Sequence, residues 1–500
     1  MKKNLANNIF LLITLTLLLK CIGFVNRIAI AYHFGTSNVT DIFYNASGFI
    51  DSISSIVLAS LSVGVINIYI NNKRENRNDK FISDLILICF TMMLIMSCVL
   101  FCLSDHIAYF LAPSYSSTNI SELGKMLKYL SICFPFQGLI AVFTSILQAE
   151  KNFTPVKMVG TVSSMVSIIC VILLTNRLGV YSLVVSYVVG IVFNTIILWY
   201  SSKKIFNFSF TRICYSDDLK KLLVLIGPLI IGIAAHEINL IIDKSIASGF
   251  KMGAISALSY SCVLYLLVEN VFINSIVTAL LPELTQNVAN NKAIDGSVGK
   301  VVVFTELLLI PIFVIMFCFS TDIITLLYGR GNFDEYSISL TSVALKGYVI
   351  GLPFLGLRDI YMQVFYAFGN TSIPVKVNTI SVVINIILDF VLSKYYGVMG
   401  IAIATSVSIA FSGIILTLFS AMRFKGIMTK EQKMFIGTEC IIAVLLMAVG
   451  RFTSNFIESY FAVGIVAISI LVLQFILAWI LNFPYIRESC KKIKIFIKTC

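Results

Sequence analysis

Apolar stretches long enough to cross about 30 Å of hydrocarbon recur along the whole of this 500-residue chain, and no other feature restricts its fold as strongly. They predict about fourteen helices, near residues 8–33, 41–70, 82–112, 126–149, 155–175, 180–201, 220–248, 255–285, 300–328, 337–368, 374–393, 398–422, 434–451 and 456–482. Several exceed one crossing, which tilt, kinks or extensions beyond the bilayer accommodate. Charged residues make up only 12% of the chain and 58% is hydrophobic, whereas a soluble domain carries about 25% charged residues. The expected fold class is an all-α membrane protein.

The loop charges give this count a direction. If the Lys2-Lys3 end is cytoplasmic, inner loops carry Lys73, Arg74, Arg77 and Lys80, then Lys203, Lys204 and Arg212, then Arg423, Lys425, Lys430 and Lys433. Outer loops hold mostly single cations such as Arg177, Lys251, Arg330 and Arg451. An even number of crossings returns the basic tail, Arg487 to Lys498, to the inside, so both termini are expected in the cytoplasm. The net charge of +12 thus reads as topology and contact with anionic lipid, with no need of nucleic acid. Met1-Lys2-Lys3 and the apolar run after it lack a small-residue cleavage site before Lys20, which predicts a retained helix. Twelve scattered cysteines without a Cys-x-x-Cys, and three dispersed histidines, offer neither a disulfide framework nor a metal cluster. No phosphate-binding glycine loop or nucleophile triad is present, so the chain reads as a transporter and not an enzyme.

Compared with itself at an offset near 218, the chain repeats. Pro135-Phe136-Gln137-Gly138-Leu139 recurs as Pro353-Phe354-Leu355-Gly356-Leu357, Pro155-Val156-Lys157 as Pro374-Val375-Lys376, and Leu178-Gly179-Val180 as Tyr396-Gly397-Val398. Six helices per repeat, an even number, give both lobes the same orientation, and such parallel repeats place substrate between the halves. The expected organisation is an N-terminal lobe over 1–215, a C-terminal lobe over 216–430, two added helices over 431–485 and a basic tail over 486–500.

Charges inside apolar helices mark the functional candidates, since each costs roughly 2.5–3.5 kcal/mol at the bilayer centre. Lys20 and Arg27 lie seven apart, nearly two turns, so both can face one way. They predict an anion at membrane depth, or pairing with Asp41 or Asp51 of the next helix; Asp41 can instead cap that helix. In the other repeat, Asp243 aligns with Arg27, and Asp389 aligns with Val171. The first lobe is cationic where the second is acidic. Asp243, Asn385 and Asp389, with the Thr405 hydroxyl, offer the oxygen ligands a hard monovalent cation prefers. Alternatives are a protonated carboxyl pair, or simple pairing of Asp243 with Lys244 and of Asp389 with Lys394. Glu237, Glu269 and Glu306 are also at membrane depth without an assigned place, and Arg358-Asp359 reads as a structural pair.

Gly23-Phe24 followed by Arg27, then Phe34-Gly35-Thr36-Ser37 and Thr40-Asp41-Ile42-Phe43, resembles the opening signature of the MurJ/MviN family of lipid II flippases. Tyr328-Gly329-Arg330-Gly331-Asn332-Phe333 resembles that family's outer-loop motif. Tyr366 to Thr371 and Pro374-Val375-Lys376 resemble its helix 10 to 11 connection. The resemblance implies membership of the multidrug/oligosaccharidyl-lipid/polysaccharide exporter superfamily. It implies two six-helix lobes in a V, a further helix pair forming a groove for a lipid tail, and alternating access that carries a polyprenyl-pyrophosphate-linked precursor outward. It further implies headgroup contact by Lys20, Arg27 and Asp41, and a sodium ion held by Asp243, Asn385, Asp389, Thr405 and the carbonyl of Ile401.

The sequence departs from the family at several cations. Lys20 stands where an Arg is usual, Asn26-Arg27 where Arg-Asp is usual, and Ser54, Ser55 and Val263 where further arginines are expected. Fewer guanidinium groups hold a pyrophosphate less strongly. Lipid II is the first expected cargo of a monomeric flippase in the bacterial cytoplasmic membrane. Capsule or O-antigen repeat units, drug/sodium antiport, and a scaffold for envelope-synthesis enzymes are the alternatives.

Overall fold

The computed structural model describes residues 20–74, 78–206, 217–277, 284, 297–424, 426–454 and 460–480. Among these residues there is no strand. Among the described residues nine helices are long and apolar enough to cross a membrane, or up to twelve when each of three bent pairs is one span. The expected first and last helices run into residues outside those described, and the Met1-Lys2-Lys3 start and the basic tail lie outside them. The chain forms two compact units, residues 1–260 with 330–337, and residues 261–329 with 338–500.

In the first unit, α1 is helical over residues 20–34 and leads into α2 (Asn38–Arg74), α3 (Asn78–Leu111), α4 (Ser117–Ser131), α5 (Cys133–Ala149), α6 (Phe153–Leu178), α7 (Tyr181–Ser202) and α8 (Asp217–Ala247). α2 packs against α5 and α8, α3 against α4 and α5, and α6 against α7. Its apolar core runs from Leu61, Val65 and Tyr69 of α2 through Ile82 and Leu85 of α3 to Val142, Ile146 and Leu147 of α5.

α9 (Ala254–Val268) begins in the first unit and continues into the second through a π turn, Glu269–Ile273. The second unit then holds α10 (Ser297–Cys318) and α11 (Ser320–Tyr328), and most of α12 (Glu335–Val349). It continues with α13 (Leu352–Ala367), α14 (Ser372–Tyr396), α15 (Val398–Arg423), α16 (Lys430–Ser454) and α17 (Tyr460–Ile480). Here α14 packs on α15, α13 on α15, and α10 on α13 and α16.

The sequence repeat is a structural one. α4 and α5 bend by 44°, and α12 and α13, 218 residues later, by 42°. Helix α5 ends on two hydrogen bonds, Lys151 N to Gln148 O at 3.0 Å and Asn152 N to Leu147 O at 2.8 Å. Helix α13 ends on the same two, Gly369 N to Tyr366 O and Asn370 N to Phe365 O, both 2.9 Å. This is the Schellman arrangement, which puts one residue in the left-handed region. That residue is Lys151 at φ 59° in one repeat and Gly369 at φ 71° in the other. The next turn is also duplicated, with Gly179 at φ 54°, ψ −133° and Gly397 at φ 56°, ψ −131°.

Two expected boundaries move. The fourth span begins at Ser117, not near 126, because Ser117–Ser131 carries Glu122, Lys125 and Lys128 and falls below the apolar threshold although it is helical. The ninth breaks at Phe319, whose φ of −107° and ψ of 26° leave the helix. The break between α12 and α13 is satisfied from outside. The Ser406 hydroxyl lies 2.7 Å from the Gly347 carbonyl and 2.9 Å from that of Tyr348, and accepts from Gly351 N at 3.0 Å. Hydrocarbon tolerates an interrupted helix where a neighbour supplies such partners.

A left-handed conformation costs a residue with a Cβ about 1 kcal/mol, so Lys151→Gly should stabilise the fold by about 1 kcal/mol and Gly369→Ala should weaken it by a similar amount. Heat-induced unfolding in detergent should show midpoints moving in opposite directions. At the start of α12, Asp334 Oδ1 accepts from Ser337 N at 2.8 Å and Ser337 Oγ at 2.7 Å, which holds its carboxyl below the ordinary 3.8. Its contribution is therefore present above pH 3.8 and lost as pH falls through the lowered value. Asp334→Asn, which keeps an acceptor but cannot titrate, should flatten the acid limb of a stability against pH profile.

Candidate functional site

Polar side chains in the first unit converge on a cavity of about 110 Å³ lined by Arg27 of α1, Ser47 and Asp51 of α2, Ser163 and Ser167 of α6, and Tyr187 of α7. This is ample room for several waters or an anionic group beside Arg27. The Arg27 guanidinium stands 5.1 Å from the ring centre of Tyr44, a cation–π contact at the cavity wall. The Asp51 carboxylate accepts from the Tyr187 hydroxyl, which in turn accepts from Gln137 Nε2 at 3.1 Å. Gln137 Oε1 meets Ser54, one of the serines that stand where arginines were expected. Arg27, Lys244 and Glu237 all lie close enough to act on the charge of Asp51.

Lys244 reaches this region from α8 by passing α2 at Gly48. Its ammonium donates to the Tyr44 carbonyl at 3.0 Å, and a Cβ at Gly48 would collide with that ammonium. Lys20 lies exposed on α1, two turns before Arg27, and does not line the cavity.

Asp41 has a different place from the one expected. It is 3% exposed, and its carboxylate accepts from Gly253 N at 2.8 Å and from Ser256 N and Oγ, both at 2.7 Å. It caps α9 and not its own helix, and these bonds occupy both oxygens. Donors at a helix start attract a carboxylate more strongly than an open cavity does.

The loop flagged as an outer motif also ties down a helix end. Asn332 N donates to the Tyr32 carbonyl at 2.9 Å and Asn332 Nδ2 to the His33 carbonyl at 2.6 Å, satisfying the last carbonyls of α1. Phe333 stacks edge-on against Tyr260 at 5.6 Å.

In the second unit, Asn385 and Asp389 lie on one face of α14, 4% and 0% exposed, with Asn385 Nδ2 3.1 Å from Asp389 Oδ2. On α15, Thr405 Oγ1 donates to the Ile401 carbonyl at 3.2 Å. Asp243 belongs to α8 of the first unit, where Asn239 Nδ2 lies 3.4 Å from its Oδ1. Arg358 pairs with Asp359 at 2.8 Å and also with Glu269 at 3.8 Å, at the start of the π turn. The expected structural pair is thus a triad. Among the described residues no group of three His, Cys, Asp or Glu side chains is arranged to hold a metal ion.

Sequence reasoning missed Tyr187, Gln137 and the serines of α6. The signal was available, because Ser163 and Ser167 recur at helical spacing inside an otherwise apolar helix.

Fold and site together define a multi-pass helical membrane transporter built from a duplicated bundle, with a polar, cation-bearing cavity in its first unit. The family model described as Lipid II flippase MurJ matches residues 30–472. The chain belongs to that family. A relative from Aquifex aeolicus, named Probable lipid II flippase MurJ, is 28% identical over 78% of this chain and 79% of its own length. One of the same name from Buchnera aphidicola subsp. Acyrthosiphon pisum is 24% identical over 92% of both chains. Among solved structures, a lipid II flippase MurJ in an inward closed conformation shares the fold at a TM-score of 0.82 and 24% identity, over 93% of this chain and 98% of the other. An inward-facing multidrug resistance transporter of the MATE family, in the MOP superfamily, shares it at a TM-score of 0.64 and 13% identity, over 81% of this chain and 98% of the other.

Removing the α9 cap is the sharpest structural test of the site. Asp41→Ala strands two backbone donors in an apolar setting and should cost about 2 kcal/mol or more. A lowered unfolding midpoint with no change in headgroup affinity is expected.

Proposed function

We propose that this chain is a flippase that moves lipid II, the polyprenyl-pyrophosphate-linked peptidoglycan precursor, from the inner to the outer leaflet of the bacterial cytoplasmic membrane. Family membership supports the cargo, and one observation supports the mechanism: the Arg27 guanidinium faces a polar cavity inside an apolar bundle. No bond is made or broken. Arg27 holds the phosphates in the cavity and Lys20, outside it, meets the headgroup on the way in, while Tyr187 and the serines of α6 and α7 offer hydroxyls. Asp51 keeps Arg27 from binding the anion irreversibly by competing for it. Both termini lie in the cytoplasm, and the flippase acts as a monomer.

Alternating access needs an input that binds one state better than the other. We propose sodium for that role. The residue types suit its chemistry, since the Asp389 carboxylate, the Asn385 amide oxygen, the Thr405 hydroxyl and the Ile401 carbonyl are hard oxygen ligands once Asn385 turns its oxygen inward, and Asp389 supplies the balancing charge. Asp243 is the further carboxylate that the family resemblance assigns to the ion.

Depletion of the resident lipid II flippase followed by complementation tests the transport reading. The wild-type chain should restore growth and clear lipid II from the inner leaflet, whereas Arg27→Ala and Asp51→Asn should not. Full complementation by Arg27→Ala sinks it. Reconstitution with defined lipid-linked substrates separates lipid II from a capsule or O-antigen repeat unit. For the ion, sodium should raise the unfolding midpoint of the purified protein, potassium should not, and Asp389→Asn should abolish the difference.

A further inference from the structure

A second carboxyl site lies in the second unit, away from Asn385 and Asp389, where α10 meets the two helices that fall outside the repeat. Glu306 of α10 is 3% exposed, and Glu439 of α16 and Gln474 of α17 are 0% exposed. Gln474 Nε2 donates to Glu439 Oε2 at 2.6 Å. Glu306 Oε1, Glu439 Oε1 and Gln474 Oε1 find no hydrogen-bond donor among the described residues. All three are acceptors, so what this buried cluster lacks is hydrogen.

Among the described residues, no cation acts on either carboxyl. The charged group acting on Glu306 is the other carboxylate, Glu439. From α13 the titratable neighbour is Tyr361, whose hydroxyl is directed to Met428 Sδ at 2.8 Å. The other charges of α13, Arg358 and Asp359, are engaged with each other and with Glu269. α16 adds Cys440, and the described part of α17 carries no Asp, Glu, Lys or Arg. On α11, Asp322 lies beyond Cys318, at the far end of α10. Val303 and Leu307 of α10 pack with Phe435 of α16, one turn before Glu439, and two buried carboxylates within each other's electrostatic reach and without a cation do not both ionise in a low dielectric.

We propose that Glu306, Glu439 and Gln474 form a proton-binding site that joins α16 and α17 to the second repeat. A proton on either carboxyl turns an orphaned acceptor into a donor for a neighbouring oxygen, so that the buried polar groups satisfy one another. Release of a proton leaves a charge at the same interface and loosens α16 and α17 from α10.

Infrared spectroscopy of the full chain in membranes at neutral pH tests this directly. The expected result is a protonated carboxyl stretch that shifts in D₂O, weakens in Glu306→Gln or Glu439→Gln, and loses the same component entirely in the double variant. An unchanged band in the double variant overturns the proposal. So does loss of the wild-type band on adding sodium or potassium, which would make the site a metal-cation site instead. An amide copies a neutral carboxyl, so failure of the double glutamine variant to fold would overturn it too.

Discussion

Hydrocarbon offers no partner to a peptide group, and three helix ends in this protein are built around that fact. Where α12 breaks, Ser406 leans in from α15 and meets the carbonyls of Gly347 and Tyr348. Where α9 begins, Asp41 arrives from α2 and takes up its first donors. Where α1 ends, the loop around Asn332 closes its last carbonyls. Each of these partners is distant in sequence, so local helix ends are also the long-range ties that fix the bundle.

The repeat shows how one scaffold came to carry two chemistries. α6 with α7, and α14 with α15, are the same helical hairpin closed by the same glycine turn. At an offset of 218, Ser167 on the cavity wall corresponds to Asn385, and Val171 to Asp389. A hydroxyl and an aliphatic group in one copy stand where the other carries an amide and a carboxylate, on a backbone of the same form. The first copy faces a cavity that also holds Arg27, and the second carries the buried Asp389.

Much of this was legible in the sequence, because hydropathy and duplication are properties of long stretches. The spans, the repeat and the charged candidates needed only length, composition and register. What escaped depends on three-dimensional pairing. Asp41 looked like a ligand or a local cap, and nothing near it in sequence indicates Gly253 or Ser256 over two hundred residues later. Lys244 reads in the sequence only as an alternative partner of adjacent Asp243, and nothing near it in sequence indicates that its long side chain reaches the carbonyl of Tyr44. Ser117–Ser131 was overlooked as helix because averaging over an apolar window conceals an amphipathic segment.

Gly48 is the doorway by which Lys244 enters α2. The smallest residue in the chain thereby determines an electrical property, because closing that doorway with a methyl group would exclude a positive charge from the neighbourhood of Asp51 and leave Arg27 as its main counterweight. Selection on the headgroup's charge can therefore act through a position that carries none.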